Sequence, residues 1–369
     1  MTRVDLVDPS AYTPPYDHAL AAALARAGAS VRLITTRFPY GEVPPPDGYV
    51  RATEFYRHAR GAAGSGRRRA MKLAEHVPDM VRYRRTAQGA DIVHFQWLTV
   101  PVVDLGLLPD RPVVLTAHDL LPREPRPGQV WAQRRLLQAV RAVIVHSRYG
   151  RRVLVDEVGV DPDRVHVIHH GAFDHLAQPP GPRSMPPELP DTDRPVVLYF
   201  GLIRPYKGLG VLLEAWREIS GAELWVVGRP LMEIAGLRGR APESVRWVPR
   251  FVDSAEAATV FRRADVVVLP YTRTERFDQS GVLASALGFG KAVVLTDVGG
   301  FGELAEIGAA RLVSPGDPGA LAAALRTLVE DPGERRSLEE AAMAAAQGPY
   351  SWDAAARLTL GLYERILAA

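Results

Sequence analysis

The sequence predicts two doubly wound α/β domains, each built on a parallel sheet and facing one another across a cleft, and three observations predict it. Short runs rich in Val, Ile and Leu alternate with helix-length segments through both halves of the chain, the pattern of βαβ units. Residues 172–194, AFDHLAQPPGPRSMPPELPDTDR, are rich in proline and acidic residues and lack apolar period, so they read as the connection between the halves. A length of 369 residues with 47% apolar and 24% charged side chains supplies two ordinary cores. The domains are placed at 1–175 and 195–350, with a linker at 176–194 and a final helix at 351–369 that packs back on the first domain. In such sheets ligands sit at the C-terminal ends of strands, so the loops after strands are where chemistry is expected.

In the first half, Val4–Val7 reads as a strand, Asp17–Ala27 as an apolar helix closed by Gly28, and Val31–Thr35 as the next strand. Further strands are expected at Ile92–Phe95, Val113–Thr116, Val143–His146 and Val165–Ile168. The second half places strands at Val196–Phe200, Leu224–Val227, Val245–Val248, Val266–Leu269, Ala292–Leu295 and Arg311–Val313. In Ser351–Ala368 the residues Trp352, Leu358, Leu362 and Ile366 share one helical face. The run GAAGSGRRR at 61–69 lacks both a preceding strand and the glycine spacing of a dinucleotide fingerprint, and it reads as a flexible loop.

Composition narrows the chemistry. The chain has no cysteine, which excludes disulfides, thiolate metal sites and a cysteine nucleophile. No run approaches the roughly 18 apolar residues of a membrane span, and MTRVDLVDPS is no signal peptide, so a cytoplasmic protein is expected. A net charge of +3 gives no reason to expect nucleic acid as a partner. The basic excess is local: residues 51–90 hold ten Arg or Lys against Glu54, Glu75 and Asp79. The stretch 51–85 fits an anionic acceptor, an acidic membrane surface at the inner face, or a solvated helix face.

The densest signal is Val197–Trp216. An apolar strand runs into Gly201-Leu-Ile-Arg204-Pro-Tyr-Lys207-Gly208, and Leu209, Leu212, Leu213 and Trp216 follow at helical spacing. A forked guanidinium, an ammonium and free amides before a helix suit an anion such as a diphosphate, although a turn with solvated cations has the same pattern. Of 45 basic residues only Lys72, Lys207 and Lys291 are lysine, which makes Lys207 conspicuous. A second candidate is Gln279-Ser280-Gly281-Val282 before the apolar run ending at Leu287, either an anion-binding helix start or a plain Ser-capped helix. A third loop, Asp297–Glu303, offers glycines for close backbone approach and the Glu303 carboxylate.

The motifs GLIRPYKGLGVLLEAW, VVGRP, VRWVPRFVDSAEAATVFRRADVVVLPY, QSGVLASALGFGKAVVLTDVGG and Glu303 stand in the order and spacing of the C-terminal domain of family-4 glycosyltransferases of the GT-B fold, which the chain resembles. The first half is similar through PPYDHALAAALARAGASVRLIT, DIVHFQW, VVLTAHDLLP, AVIVHSRYGRR and VHVIHHGAF. The resemblance covers nearly the whole chain. It implies two Rossmann-like domains and retaining transfer of a sugar from a nucleotide-diphosphate sugar, bound by the second domain, to an acceptor bound by the first. The acceptor would be a small molecule, a glycan or a lipid-linked sugar, with no metal or other cofactor required. By likeness, Arg204 and Lys207 match the diphosphate pair, and Ser280, Gly281 and Val282 the helix start at the phosphates. Gly228, Arg229, Arg250 and Phe251 match loops lining the nucleoside, with Gly201 and Gln279 beside them. His118 matches a histidine facing the donor sugar; His118 and Asp119 also suit a structural pair, and the likeness favours a sugar-positioning role over a general base.

The chain departs from the family at one point. The family's two glutamates, eight positions apart, fall on Phe277 and Ser285, so Ser285 would make a weaker ribose contact or another group takes over, with Asp278 and Glu275 the nearest carboxylates. On the acceptor side, the segment Tyr12-Thr-Pro-Pro-Tyr16-Asp17-His18 reads as a Pro-stiffened aromatic loop that either stacks on a ring or plugs the structure, and Gln96 and Trp97 occupy a similar strand end. A hydrolase or phosphorylase is disfavoured, because no apposed carboxylate pair stands out and only three lysines are available for pyridoxal. The remaining alternative is a catalytically silent GT-B subunit that binds a sugar nucleotide.

Overall fold

The computed structural model describes residues 1–62, 64–122, 127–177, 184–273 and 279–369. The chain forms two compact units, one of Met1–Gly171 with Trp352–Ala369 and one of Ala172 to Ser351.

In the first unit seven strands form one parallel sheet: β1 (Arg3–Asp8), β2 (Ser30–Thr35), β3 (Val50–Thr53), β4 (Ile92–Phe95), β5 (Val113–Thr116), β6 (Ala142–Val145) and β7 (Val165–Val167). Their order is β3-β2-β1-β4-β5-β6-β7, so the direction of winding reverses between β1 and β4. The connecting helices are α1 (Pro14–Arg26), α2 (Gly66–Thr86), α3 (Pro101–Asp104), α4 (Gln129–Ala139) and α5 (Arg148–Arg152). The second unit carries β8 (Val196–Phe200), β9 (Glu223–Val227), β10 (Val245–Val248), β11 (Val266–Leu269), β12 (Ala292–Thr296) and β13 (Arg311–Val313), ordered β10-β9-β8-β11-β12-β13 with the reversal between β8 and β11. Its helices are α6 (Leu209–Ala215), α7 (Ala235–Arg238), α8 (Ser254–Arg263), α9 (Gly281–Gly288), α10 (Gly302–Glu306), α11 (Pro318–Glu330) and α12 (Pro332–Gln347); α13 (Trp352–Ala368) returns to the first unit.

The continuous apolar strands are buried on both faces, as parallel strands covered by helices must be. In the second unit Tyr199 and Leu224 from the sheet and Leu212 and Trp216 from the α6 segment are buried in one core. Truncating a fully buried side chain such as Trp216 costs about 3–5 kcal/mol. α13 lies along α1, with Arg26 Nη2 3.1 Å from Asp353 Oδ1 and the Tyr363 hydroxyl 2.6 Å from His94 Nδ1. Gly171 is required there, because a Cβ on it would lie 2.4 Å from the Trp352 ring.

Two expectations need correction, and one strand is new. Gly66 to Arg69 are not a loop: they open α2, whose N-cap Ser65 accepts from the Arg68 amide, so a capping hydroxyl outweighs the glycines. The Pro14-Pro15 pair does not stiffen a loop but begins α1, where a missing N–H costs nothing. The edge strand β3, sequence VRAT, is an addition; it is too short and too polar for its pattern to announce it. Among the described residues no helix is long and apolar enough to cross a membrane.

Candidate active site

Both reversals of strand order fall where the predicted residues lie. In the second unit the loop after β8 and the loop after β11 flank the reversal. They are tied together, since the Tyr206 carbonyl accepts from the Thr272 amide at 2.7 Å and from its hydroxyl at 3.1 Å. Gly208, at φ +69°, passes so close to that loop that a Cβ would sit 1.7 Å from the Pro270 carbonyl oxygen. Lys207 is buried and lies over the Tyr271 ring, Nζ 5.3 Å from its centroid. The Tyr271 hydroxyl is 3.0 Å from Ser280 Oγ, which caps α9 by accepting from the Val282 amide at 3.3 Å. A Cβ placed on Gly201 would meet Lys207 Nζ at 3.0 Å and Val282 Cγ2 at 3.2 Å. The strand end, the ammonium and the start of α9 therefore converge on one spot, where ammonium and helix dipole both favour negative charge. Arg204 is half-buried; its carbonyl accepts from the Lys207 amide at 3.1 Å, and its guanidinium has no hydrogen-bond or ion-pair partner among the described residues.

The neighbouring candidates divide. Gly228 belongs to the same spot, since a Cβ on it would lie 2.0 Å from the Gly201 carbonyl oxygen, and Arg229 beside it is exposed. Gln279 Oε1 accepts from the Ser280 amide at 3.2 Å. Arg250 is not an open cation: it grips Glu256 at 2.7 Å and Glu188 at 2.8 Å, and those two carboxylates push its pKa up. Phe251 next to it is half exposed. Ser285 is buried and donates to the Gly281 carbonyl of its own helix at 3.0 Å, so its hydroxyl is engaged within α9. Glu303 lies in the first turn of α10. Glu275, Phe277 and Asp278 lie outside the described residues.

In the first unit the loops after β1, β4 and β5 line a pocket of about 260 Å³, bounded by Tyr12, Gln96, Trp97, His118, Gln129 and Gln133. Trp97 stacks on His118 with centroids 5.1 Å apart and planes 16° apart, and Tyr12 meets Trp97 edge-on at 5.4 Å. Trp97 Nε1 donates to Thr13 Oγ1 at 3.0 Å, and His118 Nε2 is 3.0 Å from Gln96 Oε1. Tyr16 stands behind this layer, fully buried, its ring 4.6 Å from His118, 4.9 Å from His170 and 5.0 Å from Trp352. Burial raises the Tyr16 hydroxyl pKa. Tyr16 is thus a floor under His118 and not a ring open to a ligand. Asp17 is also buried, and burial first and Asp8 second raise its pKa well above the usual carboxylate range. His18 reaches the Tyr49 hydroxyl at 2.9 Å.

His118 is the first of a group. The His146 ring lies 5.3 Å from it, the His170 ring lies 5.2 Å from that of His146, and His94, the third residue of β4, has Thr116 Oγ1 at 2.7 Å. Burial, and then the neighbouring imidazoles, depress His118 well below the ordinary histidine value. It is neutral at pH 7, suited to hydrogen bonding and a poor proton acceptor. Among the described residues no three His, Cys, Asp or Glu are grouped so as to hold a metal ion.

Comparison with known proteins decides the family. Residues 16–172 match the family described as Glycosyltransferase Family 4, and residues 194–331 match Glycosyl transferases group 1. The chain belongs to the family-4 glycosyltransferases. This glycosyltransferase is 29% identical over 392 aligned positions to a D-inositol 3-phosphate glycosyltransferase of Kineococcus radiotolerans, covering 94% of this chain and 88% of the relative. It is 29% identical over 316 positions to an alpha-maltose-1-phosphate synthase of Mycolicibacterium smegmatis, covering 76% of this chain and 81% of that one. Its GT-B fold is shared with sucrose-phosphate synthase from Thermosynechococcus elongatus, at TM-score 0.74, 21% identity and full coverage of both chains. Anabaena HepE in complex with UDP-glucose shares it at TM-score 0.72 and 18% identity, over 98% of this chain and all of that one. Sequence reasoning about the glycosyltransferase missed Tyr271, which links Lys207 to the α9 cap, and the histidines behind His118. The aromatic Tyr271 closing the apolar run of β11 was the one available signal for the first.

Proposed function

We propose that this glycosyltransferase retains anomeric configuration, takes a nucleotide-diphosphate sugar at the β8–α9 cradle, and transfers the sugar to a small polyhydroxylated acceptor at the pocket of the first unit. The observation that carries this reading is the convergence of Lys207 Nζ and Val282 on Gly201, a spot formed for negative charge. Lys207 and Arg204 would balance the charge that grows on the departing diphosphate, which is transition-state stabilisation by groups already in place. The bond from the anomeric carbon to phosphate breaks, the acceptor oxygen bonds to the same face, and its proton passes to the departing phosphate oxygen. Neutral His118 then positions the sugar through a hydrogen bond and takes no proton. Tyr12 and Trp97 offer ring faces and edges to an acceptor, and Gln96 and Gln133 offer amides.

UDP is the first nucleotide to test, because the HepE relative is described with UDP-glucose. The names of the inositol 3-phosphate and maltose-1-phosphate relatives each carry a phosphorylated small molecule, so a polyol or sugar phosphate is the first acceptor class. The test is transfer from UDP-[1-13C]glucose to D-inositol 3-phosphate and a panel of other polyols, read by NMR of the anomeric carbon. An α-linked product supports the reading and a β-linked product refutes retention. Tight nucleotide binding without turnover for any pair would favour the silent subunit. Peripheral contact of residues 51–85 with an acidic membrane is supported by exposed Leu73 and Val77 on α2 beside exposed Arg67 and Arg69. Co-sedimentation with anionic and with neutral vesicles checks it.

A further inference from the structure

The pocket of the first unit has a cationic margin that its lining does not include. Lys72 of α2 is half-buried, places Nζ 4.6 Å from the Tyr56 ring centroid, and donates to Ser10 Oγ at 3.3 Å. It forms no ion pair among the described residues, whereas Arg82 and Arg84 on the same helix pair with Asp79 and Asp110. Asp8, the carboxylate whose charge bears on Lys72, already accepts the amides of Ser10, Tyr12 and Thr13. Arg68, one turn earlier on α2, adds a second positive charge and donates to the Ala59 carbonyl. Burial, and then Arg68, bring the Lys72 pKa down to about 8 against the opposing pull of Asp8.

The platform beneath it is rigid. Asp104 Oδ1 sits 2.6 Å from His76 Nε2, and His76 Nδ1 sits 2.8 Å from the Tyr56 hydroxyl. Asp104 and Tyr56 thus hold both ring nitrogens of His76. Tyr56 holds φ +50°, costly for a non-glycine residue, and its amide is fixed by Asp79 Oδ2 at 2.7 Å. This cluster borders the pocket, since the Tyr56 hydroxyl is 3.5 Å from Thr99 Oγ1, and Thr99 and Tyr12 both line it. Ser10 Oγ accepts from Lys72 and also meets the Tyr12 and Tyr56 hydroxyls, so its rotatable proton would turn from a tyrosine oxygen to a bound anion.

We propose that Lys72 and the Ser10 hydroxyl bind a phosphate monoester carried by the acceptor, an inference that rests on the pocket being the acceptor site. Because the chain holds three lysines, reductive 13C-methylation gives three dimethyl-lysine resonances beside the N-terminal amine. Lys72→Arg assigns its signal, and a Lys207→Ala background keeps the donor cradle from competing. Inorganic phosphate and D-inositol 3-phosphate should each shift the Lys72 resonance saturably and raise its titration midpoint above about 8. Lys72→Met should raise KM for a phosphorylated acceptor about tenfold at little change in kcat, the worth of one charge-assisted hydrogen bond. Ser10→Ala, which leaves the ammonium, should weaken phosphate severalfold and serves if Lys72→Met folds poorly. An unmoved Lys72 signal with both probes overturns the proposal. A response to inorganic phosphate alone also overturns it, as a site for free phosphate. The resonance reads binding without turnover, so it fails or succeeds independently of the transfer reaction.

Discussion

Acidification from pH 7.5 to 5 should loosen the first unit while sparing the second. Burial is the first cause that depresses His94 and His146 to about 3 and His170 to about 4, so the folded chain resists protons that the unfolded chain takes up below its ordinary histidine value. A depressed pKa contributes stability that is present above the unfolded value and lost as pH falls toward the folded one. Here the window runs from about 6.5 downward. At pH 5 each of the three costs about 2 kcal/mol. Asp17, and Asp8 beside it, work in the opposite direction, because burial raises their pKa values and a raised pKa stabilises as pH falls; over these 2.5 pH units Asp17 returns at most about 3.4 kcal/mol. The three histidines outweigh Asp17 by about 2.5 kcal/mol, a sizeable share of the 5–15 kcal/mol typical of a domain. The second unit is an internal control, since of the ten histidines only His175 lies in it. Hydrogen exchange by mass spectrometry, corrected for intrinsic rate, should show β4, β5 and β6 losing protection relative to β8 and β9. The C2 protons of the three histidines should not titrate before the unit opens. Titration midpoints near 6.5 in the folded protein, or equal loss of protection in both units, would refute the reasoning.

Two substitutions probe the donor cradle. Gly208→Ala drives a methyl into the Pro270 carbonyl at a positive φ and should cost about 3 kcal/mol or more, visible as a lowered thermal midpoint of the second unit. Tyr271→Phe removes the hydroxyl that meets Ser280 Oγ but keeps the ring under Lys207. It should weaken nucleotide binding about three- to tenfold with little loss of stability, checked by isothermal titration.

The parallel strands were legible because their apolar runs are unbroken, and six of them, β4, β5, β8, β10, β11 and β13, match the sequence reading to the residue. The start of α2 and the edge strand β3 were not, because capping and edge pairing depend on a few polar residues without period. The donor cradle was legible as far as it is local, in Arg204, Lys207 and the Ser280 cap. Its link through Tyr271 depends on β8 and β11 being neighbours in the sheet, a pairing that residues 69 positions apart do not announce. The same holds for His94, His118, His146 and His170, which four separate segments bring to one end of the sheet. Tyr16 and Asp17 were read as acceptor contacts on an open loop, and the helix that begins at Pro14 turns both inward.

The most direct test of the donor cradle is a thermal-shift titration with UDP, GDP, ADP, CMP and dTDP on the native chain and on Arg204→Ala and Lys207→Ala. A nucleotide at 100 times its Kd should stabilise by about 2.7 kcal/mol. One diphosphate should raise the midpoint of the native chain and lose that effect in both variants. A midpoint that no nucleotide moves, or a shift that survives both substitutions, would contradict the assignment of Arg204 and Lys207 to the diphosphate.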